Sequence, residues 1–136
     1  MPESSNFSIV QAGPKNADLL IQLIHELAQV HNNHDGPEIN AKILAHDLEN
    51  HACFAFIAYS GEEPAGMALY YLSYSTWQGQ VAYEKWYKRL SLNVLDWNEN
   101  ATKLYDSLGA INLTKDEGWL VYRFDEERIR NLAQDP

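Results

Sequence analysis

The chain has 136 residues, of which 46% are hydrophobic and 12% aromatic, so it is long enough for one compact domain and too apolar to be wholly disordered. Its net charge of -9 argues against nucleic acid as a partner, because contacts to phosphates need a basic surface. No run of residues approaches a membrane span, and the N-terminus lacks the pattern of a signal peptide. Together these features predict a cytoplasmic protein that binds neither membrane nor nucleic acid.

The first part of the chain predicts a strand, two helices and a β-hairpin. "FSIVQA" has the composition of a strand, and a helix follows from Asn16, with apolar residues at helical spacing until "HNNHDGP" ends it. After Pro37, the residues Ile39, Ile43, Leu44 and Leu48 mark a second helix. "CFAFIAYS" and "AGMALYYLSYS", joined by the turn sequence "GEEP", predict a hairpin. Because both runs are apolar on consecutive positions, we expect helices to cover both faces of these strands.

The last part predicts strands that alternate with helices. "RLSLNVLDW" reads as a strand, and Asn98 then caps a helix that Gly109 ends. Its expected inner face is Ala101, Leu104, Tyr105 and Leu108. "AINL" and "WLVYRF" are predicted strands around the turn "TKDEG", before a tail helix that Asp125 caps. The order predicts a single α+β domain over residues 1–136, with a mixed sheet flanked by helices, because some strand-helix-strand units need parallel pairing.

Chemistry-bearing residues taken by themselves leave several interpretations open. The chain has no phosphate-binding glycine motif, no G-x-S-x-G and no C-x-x-C, and its single cysteine, Cys53, lies in an apolar run typical of a buried thiol. His31 and His34 have a spacing that a metal site could use, against the alternative of solvated loop histidines. Trp77 and Trp119 stand beside turns and could line a cleft or pack in a core. Tyr105 is either a core tyrosine or a proton donor.

One stretch, "VLDWNENATKLYDSLGA", carries a resemblance to a known family. Its pattern W-N-x-x-A-x-x-x-Y-x-x-x-G-A after a strand resembles the Gcn5-related N-acetyltransferases, specifically the spermidine/spermine (diamine) acetyltransferase branch. Three further segments agree in the same order, namely "FSIVQAGPKNADLLIQLIHELA", "GMALYYLSYSTWQG" and "TKDEGWLVYRFDEERIRNLA". The resemblance spans nearly the whole chain. It implies a splayed mixed sheet, acetyl transfer from acetyl-CoA to a primary amine of a small polyamine-like or amino-acid-like substrate, and a homodimer.

The same resemblance implies roles for individual residues. Tyr105 would be the catalytic general acid that protonates the departing CoA thiolate, since a phenol is protonated at neutral pH. The cofactor would contact Tyr105 together with Leu92, Asn93, Asn98 and Ala101. No metal is implied.

On the substrate side, Trp77, Glu117 and Trp119 would hold a cationic amine through ring faces and a carboxylate. His31 stands where relatives carry an acidic substrate contact. That departure leaves the preference for polyamines open.

A larger departure from the family lies between Gln80 and Val81. Relatives have a central strand with an acidic segment there, then the [RQ]-x-x-G-x-[GA] pyrophosphate loop and most of a long helix, of which "VAYEKWYKRL" resembles the end. About 30 residues are missing, roughly one strand, one helix and their connections. With them go the backbone N–H groups at a helix N-terminus that would bind the pyrophosphate.

The missing segment keeps two functional hypotheses in view. The first is an acetyltransferase that uses acetyl-CoA. Taken as the whole protein, its 136 residues are expected to bind acetyl-CoA little or not at all. The second is a catalytically inactive remnant of the fold that acts as a dimerisation or interaction module, with its exposed aromatic residues as the interface.

Overall fold

The computed structural model describes residues 7–75, 79–80 and 90–134. Contacts divide the chain into two units, Met1–Arg89 and Leu90–Pro136, and each is described here by itself. The single domain over residues 1–136 stays a prediction.

The first unit contains a three-stranded antiparallel sheet. Strands β1 (Phe7–Ala12), β2 (Phe54–Ser60) and β3 (Glu63–Tyr70) lie side by side in the order β1-β2-β3. Between β2 and β3, Gly61 has a φ of 65°, a left-handed conformation that a residue without Cβ adopts at little cost. The predicted first strand and hairpin are therefore confirmed, and β3 begins inside "GEEP" rather than after it.

Two helices connect β1 to β2. Helix α1 (Ala17–Val30) begins after a single 3-10 turn, Pro14–Asn16, and helix α2 (Ala41–Glu49) begins where the side chain of Asn40 accepts a hydrogen bond from the Ile43 N–H at 3.0 Å. Both predicted helices are confirmed. The apolar spacing placed Ile39 in this helix, but Ile39 precedes the Asn40 cap and is not helical.

The core of this unit lies between the two helices and one face of the sheet. Leu20, Leu44 and Ile57 are at most 1% exposed and join the two layers. Cys53 belongs to the same cluster as a free thiol, and burial, followed by the nearby Asp47 carboxylate, raises its pKa above the ordinary value of 9.0. This environment agrees with a buried structural thiol.

The opposite face of the sheet, called the outer sheet face below, stays exposed. The alternation of side chains and the register assign to it the following residues: Phe7, Ile9, Gln11, Phe54, Phe56, Ala58, Ser60, Glu63, Gly66, Ala68 and Tyr70. Ile9 is 74% exposed and Phe56 37%. The Tyr70 ring stacks on Phe54 with centroids 5.3 Å apart and on Phe56 at 5.9 Å. Among the described elements of the first unit, both helices lie on the other face of the sheet, so the expected cover on both faces is not found within this unit.

A short ladder follows the sheet. Strands β4 (Tyr74–Ser75) and β5 (Gly79–Gln80) pair antiparallel. Trp77 and the segment 81–89, in which the end of a long helix is predicted, lie outside the described residues.

The second unit is helical where it has regular structure. It contains α3 (Glu99–Ser107), α4 (Leu113–Glu117) and α5 (Glu126–Gln134). The side chain of Asp125 accepts a hydrogen bond from the Arg128 N–H at 2.9 Å, so the predicted cap of α5 is confirmed. None of the described helices combines the length and the apolar composition that a membrane span requires.

The three strands predicted in this unit are wrong. Residues 90–98, 110–112 and 119–124 form no strand, and "TKDEG" is the end of α4 rather than a turn between strands. Helix α4 forms because Asn112 accepts a hydrogen bond from the Lys115 N–H at 3.1 Å and Gly118, at φ 75°, ends it. A strand needs a partner for its ladder, and the described residues of this unit contain no other strand that could supply one.

Candidate active site

The best-defined part of the site is the start of α3. The Asn98 side chain accepts a hydrogen bond from the Ala101 N–H at 3.2 Å, and its carbonyl accepts one from the Thr102 N–H at 3.0 Å. Glu99 forms an ion pair with Lys103 at 2.9 Å across one helical turn. The predicted cap is confirmed, and at the other end Gly109 has the φ of 80° that is favoured just beyond a helix.

One face of α3 is less exposed than the rest of the helix. Asn98, Ala101, Thr102 and Tyr105 are half-buried and recur at i, i+3, i+4 and i+7, the spacing of a single helical face. Three of these four residues are among the five predicted cofactor contacts. The structure therefore brings Asn98, Ala101 and Tyr105 together along one side of the helix.

The apolar side expected for α3 differs from this face. Leu104 is 53% exposed and Leu108 73%, whereas both were expected to point inward. The described residues of this unit contain no strand, and hence no sheet on which these leucines could pack. The sequence analysis did not assign Thr102 to this half-buried face. Its position four residues after the Asn98 cap, one helical turn along, could have indicated it.

Leu92 and Asn93 lie in irregular chain before α3. Both are exposed, with Leu92 at 47%. Both were expected on a strand at the splayed part of the sheet. That expectation is wrong, because residues 90–98 form no strand. Their contact with a cofactor stays a prediction.

Glu117 and Trp119 form a direct pair around the end of α4. The Trp119 indole Nε1 donates a hydrogen bond to Glu117 Oε2 at 2.8 Å, and the Trp119 backbone N–H donates to the Leu113 carbonyl at 3.1 Å. The left-handed Gly118 between them turns the chain so that the two side chains meet. Trp119 is 63% exposed. A carboxylate and an indole ring are thus available together on the surface, as a cationic amine requires.

His31 lies in the other unit. It caps the C-terminus of α1, where its backbone N–H donates to the Leu27 carbonyl at 3.1 Å, and it is half-buried. Its neighbour Asn32 has a left-handed φ of 52°. In the part of the chain that the structure describes, no group of three metal-ligating side chains occurs. The remaining predicted substrate contact, Trp77, lies outside the described residues.

The described residues fit one end of acetyl-CoA better than the other. A diphosphate needs cationic side chains or a glycine-rich backbone cradle. Lys103, Arg128 and Arg130 are already paired with carboxylates, and Glu99 places negative charge in the first turn of α3. Among the glycines whose surroundings are described, none closely approaches another part of the backbone. These three cations and these glycines therefore form no cradle for the diphosphate, whereas the half-buried face of α3 is compatible with the thioester end.

Comparisons of the sequence give a consistent set of relatives. A thialysine N-epsilon-acetyltransferase of Caenorhabditis elegans is 39% identical, and the match covers 96% of this chain and 99% of that protein. The thialysine N-epsilon-acetyltransferase of Bos taurus is 34% identical over 84% of this chain and 89% of its own length. A human spermidine/spermine N(1)-acetyltransferase-like protein 1 is 30% identical over 93% of this chain, but over only 24% of that protein. No protein-family model matches the sequence.

The first of these matches also bears on the missing segment. It extends over 158 positions, 22 more than the 136 residues of the chain, so at least that many positions of the C. elegans relative have no counterpart here. Within the matched span, this chain therefore lacks at least 22 positions of the relative in total. A gap between Gln80 and Val81 stays a prediction.

Solved structures share the fold. An integron cassette protein of V. cholerae gives a TM-score of 0.67 at 16% identity, covering 95% of this chain and 98% of that one. A probable acetyltransferase gives 0.63 at 20% identity, covering 88% and 99%. A ribosomal-protein-alanine N-acetyltransferase from Brucella melitensis gives 0.60 at 18% identity, covering 88% and 100%. The α+β class and the acetyltransferase-like fold, predicted from the sequence, are confirmed.

Proposed function

The chain belongs to the Gcn5-related N-acetyltransferase family, in its spermidine/spermine (diamine) acetyltransferase branch, and from this membership we propose that it acetylates a primary amine of a small polyamine-like or amino-acid-like substrate. Acetyl-CoA is the acetyl donor of the family and the proposed co-substrate here. The names of the relatives, which specify thialysine and spermidine or spermine, favour an amine at the end of a flexible aliphatic chain.

The observation that carries this proposal is the half-buried face of α3. Tyr105 carries a phenolic hydroxyl, and a hydroxyl placed at the reaction centre can donate its proton to a leaving thiolate. Asn98 and Ala101 lie on the same face toward the start of the helix, where they would contact the co-substrate, with Leu92 and Asn93 preceding them in the chain. When bound, acetyl-CoA supplies the thioester that the deprotonated amine attacks.

The pair formed by Glu117 and Trp119 is the proposed anchor for the amine substrate. The Glu117 carboxylate attracts an ammonium group, and the exposed indole offers a ring face beside it. Both side chains are exposed, so solvent screens the attraction and the contact contributes modestly to affinity. Trp77 and His31 complete the proposed set of substrate contacts.

A second candidate function has its own supporting observation. Because the described residues do not fit the diphosphate, the chain could serve as a non-catalytic dimerisation or interaction module of the same fold. The exposed outer sheet face is compatible with that role.

The remaining proposals concern assembly and location. The family membership supports a homodimer, although the structure contains a single chain. We also propose a cytoplasmic location, as predicted from the sequence.

The test is an acetylation assay on a sample whose intact mass matches 15.6 kDa. We expect amine-dependent release of CoA from acetyl-CoA with thialysine or spermidine, at a KM for acetyl-CoA of about 1 mM or higher, because the diphosphate contacts are missing. Absence of amine-dependent release at saturating acetyl-CoA would contradict the enzyme and leave the non-catalytic module. A KM in the low micromolar range would contradict the stated misfit to the diphosphate.

A further inference from the structure

Trp119 is held beside Glu117 by contacts that lie within one short segment of the second unit. The Trp119 backbone N–H donates a hydrogen bond to the Leu113 carbonyl at 3.1 Å, across the whole of α4. Gly118, at φ 75°, makes the turn between the two side chains in a left-handed conformation. The relation of Trp119 to Glu117 therefore depends on local geometry alone.

The two carboxylate oxygens of Glu117 have different surroundings. Oε2 accepts the indole Nε1–H of Trp119 at 2.8 Å, so the indole ring occupies that side of the carboxylate. In the part of the chain that the structure describes, no other side chain donates to Glu117 and none of the ion pairs includes it. Oε1 is therefore the oxygen that remains open to a ligand.

Ammonium and guanidinium groups use a carboxylate in different ways. An ammonium is a compact charge with three donors, and a single oxygen is enough for its hydrogen bond. A guanidinium presents a planar fork, whose two parallel N–H groups match both carboxylate oxygens at once. Because the indole engages Oε2, a guanidinium must bind Glu117 through one oxygen or displace the Trp119 N–H.

We propose that Trp119 is a positioning residue that acts through its indole N–H on Glu117 and makes this anchor selective for an ammonium over a guanidinium group. The inference deepens the proposed function, on which it rests for the identification of the ligand as part of the amine substrate. The attacking amine is deprotonated, whereas a carboxylate favours the charged form of its partner. The substrate class is therefore an amine that carries a second group, an ammonium, for Glu117 to hold.

The test uses the full chain and two probes of equal carbon chain, butylammonium and butylguanidinium, without acetyl-CoA. NMR titrations followed through the Leu120 backbone amide are expected to give a Kd about fivefold lower for butylammonium, the effect of one net hydrogen bond. Trp119→Phe keeps an aromatic ring but removes the N–H. Both oxygens then become available to the fork, so the preference for butylammonium is expected to disappear. Glu117→Gln is expected to weaken both probes, because the negative charge is lost.

Gly118→Ala and Gly109→Ala form a matched pair of backbone variants. Both glycines have a left-handed φ, 75° and 80°, and an added Cβ would meet nothing within 4 Å at either site, so the two changes have a similar backbone cost. Gly118→Ala is expected to separate Trp119 from Glu117 and to abolish the preference. Gly109→Ala, at the end of α3, is expected to leave the preference unchanged. Thermal unfolding establishes that each variant is folded.

Four results would overturn the inference. These are equal Kd values in the natural chain, no binding of either probe, a preference that survives in Trp119→Phe, and an equal loss of preference in Gly109→Ala and Gly118→Ala. The acetylation assay tests the proposed function separately. A chain that prefers butylammonium but releases no CoA would remove the enzyme and leave the selectivity of this pair, whereas acetylation without the preference would do the reverse.

Discussion

Tyr105 and Asn98 lie two turns apart on one side of α3, and this relation follows from the sequence alone. A spacing of seven residues returns to nearly the same face of a helix, so the resemblance and the helical period together place both side chains correctly. The Glu117–Trp119 hydrogen bond could not be foreseen in the same way. It depends on the left-handed Gly118, which closes α4 where a turn between two strands was expected.

Tyr105→Phe tests the proposed acid at the residue scale. The change removes one hydroxyl from a half-buried ring, so we expect kcat for amine acetylation to fall about 100-fold while the KM for the amine and the melting temperature stay nearly constant. Tyr122→Phe is the control, because Tyr122 is 82% exposed in the same unit. Steady-state kinetics with equal losses in both variants would refute a specific role for the Tyr105 hydroxyl.

At the scale of the elements, the sequence predicted helix caps best. Asn98, Asp125 and Gly109 occupy their predicted cap positions because capping is a local interaction between a side chain and nearby backbone. The strands expected in "RLSLNVLDW" and "WLVYRF" do not form in the described residues, because a strand is stabilised by hydrogen bonds to a partner distant in sequence. Local patterns cannot supply that partner once the central strand is missing.

Helix α2 offers a comparison of two neighbouring apolar residues. Leu44 is 1% exposed and belongs to the core, whereas Ile43 is 47% exposed. We expect Leu44→Ala to lower the free energy of unfolding by about 2–4 kcal/mol through lost burial and a cavity, and Ile43→Ala by about 1 kcal/mol or less. Urea titrations of both variants measure the difference. Similar losses would show that the assigned core face of α2 is incorrect.

At the scale of the whole molecule, the chain keeps the fold family but lacks one supersecondary unit. The first unit retains its sheet and helices, because each of these elements finds its partner within Met1–Arg89. The second unit retains only helices in its described residues, since helices satisfy their backbone hydrogen bonds internally. The loss therefore affects strands, and with them the part of the site that should bind the diphosphate.

Restoring the missing unit is expected to restore affinity for acetyl-CoA. The insertion is made between Gln80 and Val81 with the corresponding segment of the C. elegans relative, where the family resemblance implies a pyrophosphate loop at a helix N-terminus. We expect calorimetry to show acetyl-CoA binding at least about 100-fold tighter than in the natural chain. A glycine- and serine-rich insert of equal length is the control. Equal binding by the two insertions, or no gain from either, would contradict the proposed location of the gap.

The sequence by itself determined the family, the α+β class, helices α1, α2, α3 and α5, the caps Asn98 and Asp125, and the shared side of Asn98 and Tyr105 on α3. All of these depend on local periodicity, on capping, or on motifs that persist when a segment is lost. Only the tertiary structure decided which strands form and which face of the sheet stays open. Strand pairing and side-chain burial depend on partners that are remote in sequence, and local sequence patterns do not show whether those partners are present.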